Sequence, residues 1–495
     1  MKTRLNDNAE KTILVDVNRY RTRVMLLEDG VPVEFYIERR DRERLVGNIY
    51  KGKVQNVLPG MFAAFININE EKNAFLYAGD IKPEGPFADE DQLEEKLTPS
   101  MICDIIRNGQ DIMIQIVKEP MGTKGARAST HISLPGRNLV FLPTVEFIGI
   151  SKRILSEHER KRLKRIVGEA LPAGAGVIVR TAAEGLDEDT IKQDLDALVR
   201  DWEQIKRRYN EVKAPCLIHR DDSLVFRTMR DLFTGNVKKL VVNDKKQFEL
   251  ISSLVAPDDR EKIEYYDGVG LFDKYGAEEA IDAALSRRVW LKSGAYIVID
   301  QTEALTSIDV NTGKYVGSVS LDRTIVETNK EAAFEIARQL RLRDIGGIVI
   351  IDFIDMNDEQ DRAEVISALG DALRCDSTKT VVLGMTHLGL VEVTRKKLGM
   401  NISAALQQDC PYCGGTGKVL SYKSAAMKLV NEIMSRIEYD RSETSFSVAA
   451  HPEVLKLAER CIAEEKALTP GFGSLRIEPR PDPLLRPDEF SIKNI

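Results

Sequence analysis

Two short stretches carry residues able to bind a metal ion and support phosphodiester chemistry. GGIVIIDFIDM, residues 346–356, places Asp352 and Asp355 where an apolar run should continue, and TEALTSIDVNTG, residues 302–313, places Asp309 and Asn311 two residues apart. In an extended segment that spacing turns both side chains to one face. An ionised carboxylate at the mouth of an apolar strand is costly unless it is hydrogen-bonded, paired or bound to a metal. For Asp352 alone, a cap on the next turn and a metal ligand are equally good readings. Two carboxylates with a nearby amide suit Mg²⁺, a hard cation that takes oxygen ligands. Such an ion activates water and offsets the charge of a phosphodiester under attack. The chain has no GxxxxGK[ST], GxSxG or HExxH, so those kinase and hydrolase signatures are missing.

These residues need elements to hold them. The β-branched run at residues 348–351, introduced by Gly346 and Gly347, reads as a strand covered on both faces. A helix over TNKEAAFEIARQLRLRD returns the chain between the two acidic strands, a topology able to bring Asp309 and Asp352 together. A helix over QDRAEVISALGDAL and a strand at KTVVLGM complete this α/β unit.

Upstream, TILVDVNRYRTRVMLLEDGVPVEFYIERR reads as strands joined by a hairpin at Asp29-Gly30. From Gly47, short alternating strands with turns at Pro59-Gly60 and around residues 69–73 suggest a small barrel, interrupted by an acidic insert from Pro83 that reads as a surface loop or short helix. Residues 151–171 have a helical pattern with seven basic residues, mostly a solvated face. A strand at GVIVRTAAEG and a helix over IKQDLDALVRDWEQIKRRYNEVK follow, and a domain change is expected at Pro215. Strands and helices then alternate from about residue 224 to 284.

At 495 residues, several units with substantial cores are expected. Apolar content of 43% and charged content of 30% describe a soluble globular protein, and the net charge of -7 confines nucleic-acid binding to local basic surfaces. The N-terminus lacks the apolar core of a signal peptide and no apolar run is long enough to span a bilayer, so a cytoplasmic location without membrane insertion is expected. Cys103, Cys216, Cys375 and Cys461 are isolated, and His131, His219 and His387 are scattered and read as structural. Cys410 and Cys413 in CPYCGGTG have zinc-knuckle spacing, but a structural Zn²⁺ needs four ligands and nothing downstream supplies two more. One ion shared by two chains is the economical solution; a metal-free dithiol is the alternative.

Together, TSIDVNTG, ETNKEAA, ARQLRLRDIGGIVIIDFIDM and CPYCGGTG closely resemble the ribonuclease E/G family of bacterial endoribonucleases, from the first strand to the tail. The resemblance implies a multidomain α/β and α+β fold. An RNase H-like subdomain (1–46 and 223–284) is split by an OB-fold RNA-binding barrel (47–130) and a 5′-sensor domain (131–222). A DNase I-like domain (285–405), a zinc link (406–418) and a small C-terminal domain (419–495) follow.

It also implies Mg²⁺-dependent cleavage of single-stranded A/U-rich RNA. The products carry 5′-phosphate and 3′-hydroxyl ends, 5′-monophosphorylated substrates are preferred, and the targets are rRNA precursors (the 16S 5′ end) and mRNA. Asp309 and Asp352 match the family's metal-binding carboxylates and Asn311 its orienting amide. Asp355 is not carried over and reads as structural, a cap or a support for Asp352. Phe65, Phe75 and Lys124 match RNA-contacting positions, and Lys379 stands where a relative carries arginine.

Arg180 offers a guanidinium fork and Thr181 a hydroxyl, a pairing suited to a terminal phosphate. In the family they form the 5′-phosphate sensor, with Gly136, Val140 and Arg153 at its other positions and Gly136 expected as a backbone donor at close approach. The cysteine pair matches a zinc link between protomers, which implies a homodimer or higher oligomer. Asp16, the only acidic residue in TILVDV, is expected to be structural. A noncatalytic RNA-binding or assembly factor and a DNA nuclease are the competing readings.

Overall fold

The computed structural model describes residues 9–41, 44–81, 102, 105–120, 124–313, 321–397, 399–440, 444–468 and 475–495. The insert after Pro83 and Cys103 lie outside the described residues. Two units are formed, residues 1–405 and residues 406–495.

Within the first unit, Lys11–Val17 (β1), Arg21–Glu28 (β2) and Val31–Arg39 (β3) make an antiparallel meander. The β2–β3 turn has Asp29 and Gly30 both at positive φ, as the Asp-Gly pair requires. Ile49–Leu58 (β4), Ala63–Asn67 (β5), Ala74–Tyr77 (β6), Asp111–Lys118 (β7) and Arg127–Ser129 (β8) close into a five-stranded barrel, because β4 pairs with β7 as well as β5. Alternation buries Ala64, Ile66, Ala74 and Leu76 inside it.

Leu134–Pro135 (β9), Leu139–Leu142 (β10), Ile148–Ile150 (β11) and Gly176–Val179 (β12) form a small sheet packed by the helices Glu157–Ala170 and Glu188–Glu211. The first helix is shorter than its charge pattern predicts. Its start is fixed by Ser156, whose hydroxyl accepts from the Glu159 N–H at 3.3 Å, so the preceding residues are left to strand and turn. Cys216–His219 (β13), which the reading of residues 131–222 assigns to the sensor domain, instead hydrogen-bonds along β4 of the barrel.

Val237–Val242 (β14) and Ile263–Tyr265 (β15) then complete the first sheet, in the order β15-β14-β1-β2-β3, so one sheet draws strands from both sides of the barrel and small sheet. Asp16 on β1 is buried there, accepting two bonds from Arg23 (2.9 and 2.7 Å) and one from the Asn243 amide (2.6 Å). Its carboxylate is consumed by packing.

The remaining sheet of this unit has the order β16-β17-β18-β19-β21-β20, made from Arg288–Trp290 (β16), Tyr296–Gln301 (β17), Leu305–Asn311 (β18), Gly347–Asp352 (β19), Thr380–Met385 (β20) and Leu390–Arg395 (β21). Only β18 and β19 run parallel, connected through the helix Leu321–Leu342. That helix and Glu359–Leu373 bury Ile336, Leu340, Val365 and Leu369 against Ile308, Val349 and Ile351 on one face of the sheet. The other face is open. Ile348 is 51% exposed and Ile350 half-buried, so the expectation of a strand covered on both faces is corrected: the β-branched run alternates, with Val349 and Ile351 inward. β-branched side chains suit a pleated sheet whichever face they occupy, which is why composition alone misleads here.

The arginines of RQLRLRD fasten this unit to its surroundings. Arg341 enters a buried pocket and donates to Glu28 (2.8 and 3.0 Å) and Glu34 (2.8 and 3.1 Å) from β2 and β3. Arg338 reaches the Pro32 carbonyl at 2.9 Å and Arg343 the Ser286 carbonyl at 2.9 Å. On the far side, Arg395 binds Asp376 (2.7 Å) and Asp344 (2.8 Å).

In the second unit, the helices Tyr422–Tyr439 and Pro452–Leu468 pack on a three-stranded sheet with Ser445–Ala450 (β22) between Arg476–Pro481 (β23) and Phe490–Asn494 (β24). Cys461 belongs to that packing. Among the described residues no helix is long and apolar enough to cross a membrane.

Candidate active site

The parallel register of β18 on β19 pairs Asp309 directly with Asp352. Both point to the open face, since Ile308, Val310 and Ile351 beside them point into the core. Asn311, one pleat further along β18, donates its Nδ2 to Asp309 Oδ2 at 2.8 Å and thereby fixes that carboxylate. These side chains line a cavity of about 510 Å³ together with Thr312, Asp355, Leu388 and Leu390, and no Lys or Arg is among its described lining residues. Burial, then the charges of Asp309 and Asp355, push the Asp352 carboxyl above the usual carboxylate range. The site therefore concentrates negative charge, with no basic side chain among its described lining residues, and presents a donor set that fits a hard divalent cation.

The next helix does not use Asp352 as its cap. The helix Glu359–Leu373 is capped by Asp358, whose carboxylate accepts from the Gln360 N–H at 2.7 Å. Asp352 stays in the strand, and Asp355 lines the cavity with no cap bond among the described residues.

What holds this loop is Asn329. Its fully buried amide donates to the Ile354 carbonyl (2.8 Å) and accepts from the Ile354 N–H (3.0 Å), pinning the segment between Asp352 and Asp355. Asn329 stands in the ETNKEAA stretch, but only its burial reveals the positioning role.

On the barrel, Phe65 and Phe75 are register partners on β5 and β6, and the alternation that buries their neighbours leaves both half-exposed outside. Their rings meet edge to face with centroids 6.0 Å apart. Lys124 is exposed just before β8, the strand that pairs with β6 at Phe75. Gly125 beside it is required, because a Cβ there would lie 2.0 Å from the Asn73 carbonyl oxygen.

Gly136, Val140, Arg153, Arg180 and Thr181 all belong to the small sheet or the loops at its strand ends. Ser151, which motif reading does not single out, joins them: its hydroxyl lies 2.9 Å from that of Thr181 and accepts from the Arg153 N–H at 3.3 Å. Arg180 is engaged, donating to the Gly136 carbonyl (2.9 Å) and to Asp231 (2.7 Å). Burial works against ionising Asp231, but Arg230 and Arg180 outweigh it and hold its carboxyl below the ordinary range. Gly136 is not the free donor expected, since its N–H already goes to the Leu139 carbonyl at 2.8 Å; what it provides is a carbonyl and close approach to Leu198 and Asp194.

Lys379 is not brought to the carboxylates. It precedes β20, whose Thr380 pairs with Arg395, while Asp352 pairs with Leu390, roughly 17 Å away along β21 at 3.4 Å per residue. It lies instead near the loop where Arg153 donates to the Asp376 carbonyl at 3.3 Å.

In the second unit, Cys410 and Cys413 sit on a turn with Gly414, Gly415 and Gly417 at positive φ. The Gly417 N–H donated to Cys413 Sγ at 3.2 Å lowers that thiol's pKa, assisted by Cys410. No group of three or more His, Cys, Asp or Glu side chains converges on a metal position among the described residues.

Residues 133–398 match the family model of the Ribonuclease E/G family. Over 484 residues the chain is 40% identical to Ribonuclease G of Salmonella typhimurium (strain SL1344), spanning 97% of this chain and 99% of that protein. Ribonuclease G of Escherichia coli (strain K12) is 41% identical over 485 residues with the same coverage. Ribonuclease E of Nostoc sp. is 40% identical over 380 residues, 75% of this chain and 54% of the relative.

Proposed function

The chain belongs to the ribonuclease E/G family, and on that premise we propose that it is an Mg²⁺-dependent endoribonuclease acting on single-stranded, A/U-rich RNA. The observation that carries the reading is the registered Asp309–Asp352 pair with Asn311 bonded to it on an open sheet face. Asp309 and Asp352 would hold the ion, which when bound supplies a polarised water and offsets charge on the phosphate. Asn311 keeps Asp309 in the binding rotamer, and Asn329 keeps the backbone after Asp352 in place. Hydrolysis breaks the bond from phosphorus to O3′, so the products carry a 5′-phosphate and a 3′-hydroxyl. In this reading the targets are rRNA precursors, including the 16S 5′ end, and mRNA, and the enzyme works in the cytoplasm.

The finer architecture follows the same reading: the sheet shared by residues 11–39 and 237–265 is RNase H-like, the barrel is an OB fold and the β16 to β21 sheet is DNase I-like. Phe65 and Phe75 offer stacking faces beside Lys124, a combination suited to single strands. Arg180 and Thr181 take a 5′-monophosphate, with Arg180 exchanging Asp231 for phosphate oxygens. A charge-assisted bond contributes about 1.5–3 kcal/mol, and since Arg180 gives up its bond to Asp231 to make one to a seated monophosphate, the preference for 5′-monophosphate over 5′-triphosphate RNA should reach at most roughly 100-fold. Cleavage rates of both substrates by the wild type and by Arg180→Ala test this. The ratio should be large for the wild type and near one for the variant; equal ratios would remove the sensor.

Cys410 and Cys413 from two protomers would together supply four thiolates to one structural Zn²⁺, making a homodimer or a higher oligomer built from it. Elemental analysis should find about one zinc for every two chains. Cys410→Ser should lose the zinc and yield monomers by light scattering. A metal-free wild-type dimer would contradict the shared site.

A further inference from the structure

Beside the carboxylate pair, the open face of the same sheet carries an aromatic cluster that the cleavage machinery described above does not use. Trp290, Tyr296 and Asn311 are register partners in one row across β16, β17 and β18, and Arg288, Val298, Asp309 and Asp352 form the neighbouring row. All but the inward-facing alternates project from the uncovered side: Trp290 is 59% exposed, Arg288 is exposed and Tyr296 half-buried, while Val289, Ile297 and Ile299 face the core. The indole and phenol rings meet at 5.2 Å with planes at 61°, and the Arg288 guanidinium lies 4.6 Å from the Tyr296 ring centre and 5.8 Å from that of Trp290. Arg288 makes no ion pair among the described residues. Two interstrand spacings, about 10 Å, separate both Trp290 from Asn311 and Arg288 from Asp309.

A large, mostly exposed indole braced by a second ring is an unusual thing to leave on a surface, and the cation beside it repels another basic surface. Its chemistry matches a nucleotide: a flat base for the indole, and a phosphate for the guanidinium not committed to a carboxylate. We propose that Trp290, braced by Tyr296, is a stacking platform for a base of the single-stranded RNA within one or two nucleotides of the cut, with Arg288 contacting the adjoining backbone phosphate. This inference rests on the endoribonuclease reading. It adds a substrate-positioning surface on the catalytic sheet itself, separate from the barrel.

Among the described residues neither ring is hydrogen-bonded to Asp309 or Asp352, whose only side-chain bond is the one from Asn311, so loss of Trp290 should weaken binding and spare the chemical step. One stacked base corresponds to a rise in KM of about 5- to 150-fold for Trp290→Ala with kcat little changed, and Trp290→Phe should recover most of it. Binding is read independently by fluorescence. The chain holds two tryptophans, so Trp202→Phe in an Asp352→Asn background leaves Trp290 as the sole reporter. A single-stranded A/U oligoribonucleotide should then quench its emission in a saturable way.

Unchanged KM in Trp290→Ala, or emission indifferent to RNA, overturns the platform. So does a Trp290→Ala chain that falls apart into smaller oligomers without RNA, which would make the face a protein interface. Should the wild type cut no RNA at all, the endoribonuclease reading fails by itself, and the quenching experiment still decides whether a base stacks on Trp290.

Discussion

Replacing Asp309 or Asp352 by Asn should lower the rate of RNA cleavage by about 10³-fold or more at saturating substrate, with the fold and RNA affinity retained. The size follows from the work the pair does: an ion offsetting charge on the phosphate is worth several kcal/mol, and each 1.36 kcal/mol is a factor of ten. Asn keeps the shape of Asp but removes the charge that holds a divalent cation. Relieving the repulsion among Asp309, Asp352 and Asp355 should leave stability unchanged or slightly improved, since burial and those like charges already push the Asp352 carboxyl up. Single-turnover cleavage together with a urea titration separates these effects. A variant as active as the wild type would make the pair incidental, as in a noncatalytic RNA-binding factor.

Arg341→Leu should destabilise the first unit by about 3–5 kcal/mol. Arg341 is sandwiched between Glu28 and Glu34, with side chains 2%, 6% and 9% exposed, and it satisfies both carboxylates through four hydrogen bonds. Burial alone would disfavour its charge, yet the two glutamates raise its affinity for a proton well above the ordinary value. Removing the cation strands two anions in a dry site, which costs far more than the net worth of the intact triad. The urea midpoint of the wild type, of Arg341→Leu and of the triple variant Arg341→Leu/Glu28→Gln/Glu34→Gln tests this, the triple variant recovering much of the loss. Equal midpoints for the wild type and Arg341→Leu would contradict it.

The carboxylate pair was legible in the sequence because two local rules suffice: a two-residue period sets the face of Asp309 and Asn311, and a parallel crossover sets adjacent strands. The outward Phe65 and Phe75 were legible only through the family resemblance, because a phenylalanine in a strand more often faces the core. What escaped reading depends on distant partners. Residues 348–351 look the same whether one face or both are covered, so the open face that exposes Ile348 and Trp290 was hidden. The insertion of β21 between β19 and β20 is a choice of pairing that no local pattern declares. The Arg180–Asp231 and Arg341–Glu28 contacts join residues 51 and 313 positions apart, and the buried bonds of Asn329 appear only once its helix is docked. Motif strings marked RQLRLRD as special without saying that its arginines are structural.

Single-turnover cleavage of a 5′-monophosphorylated A/U-rich single strand, followed against Mg²⁺ concentration for the wild type and Asp352→Asn, tests the central claim most directly. Internal cleavage that rises and saturates with Mg²⁺ in the wild type and stays near background in the variant at every concentration is the predicted result. Cleavage without Mg²⁺, or the same saturating curve from both chains, would contradict the assignment of Asp309 and Asp352 as the metal-holding pair.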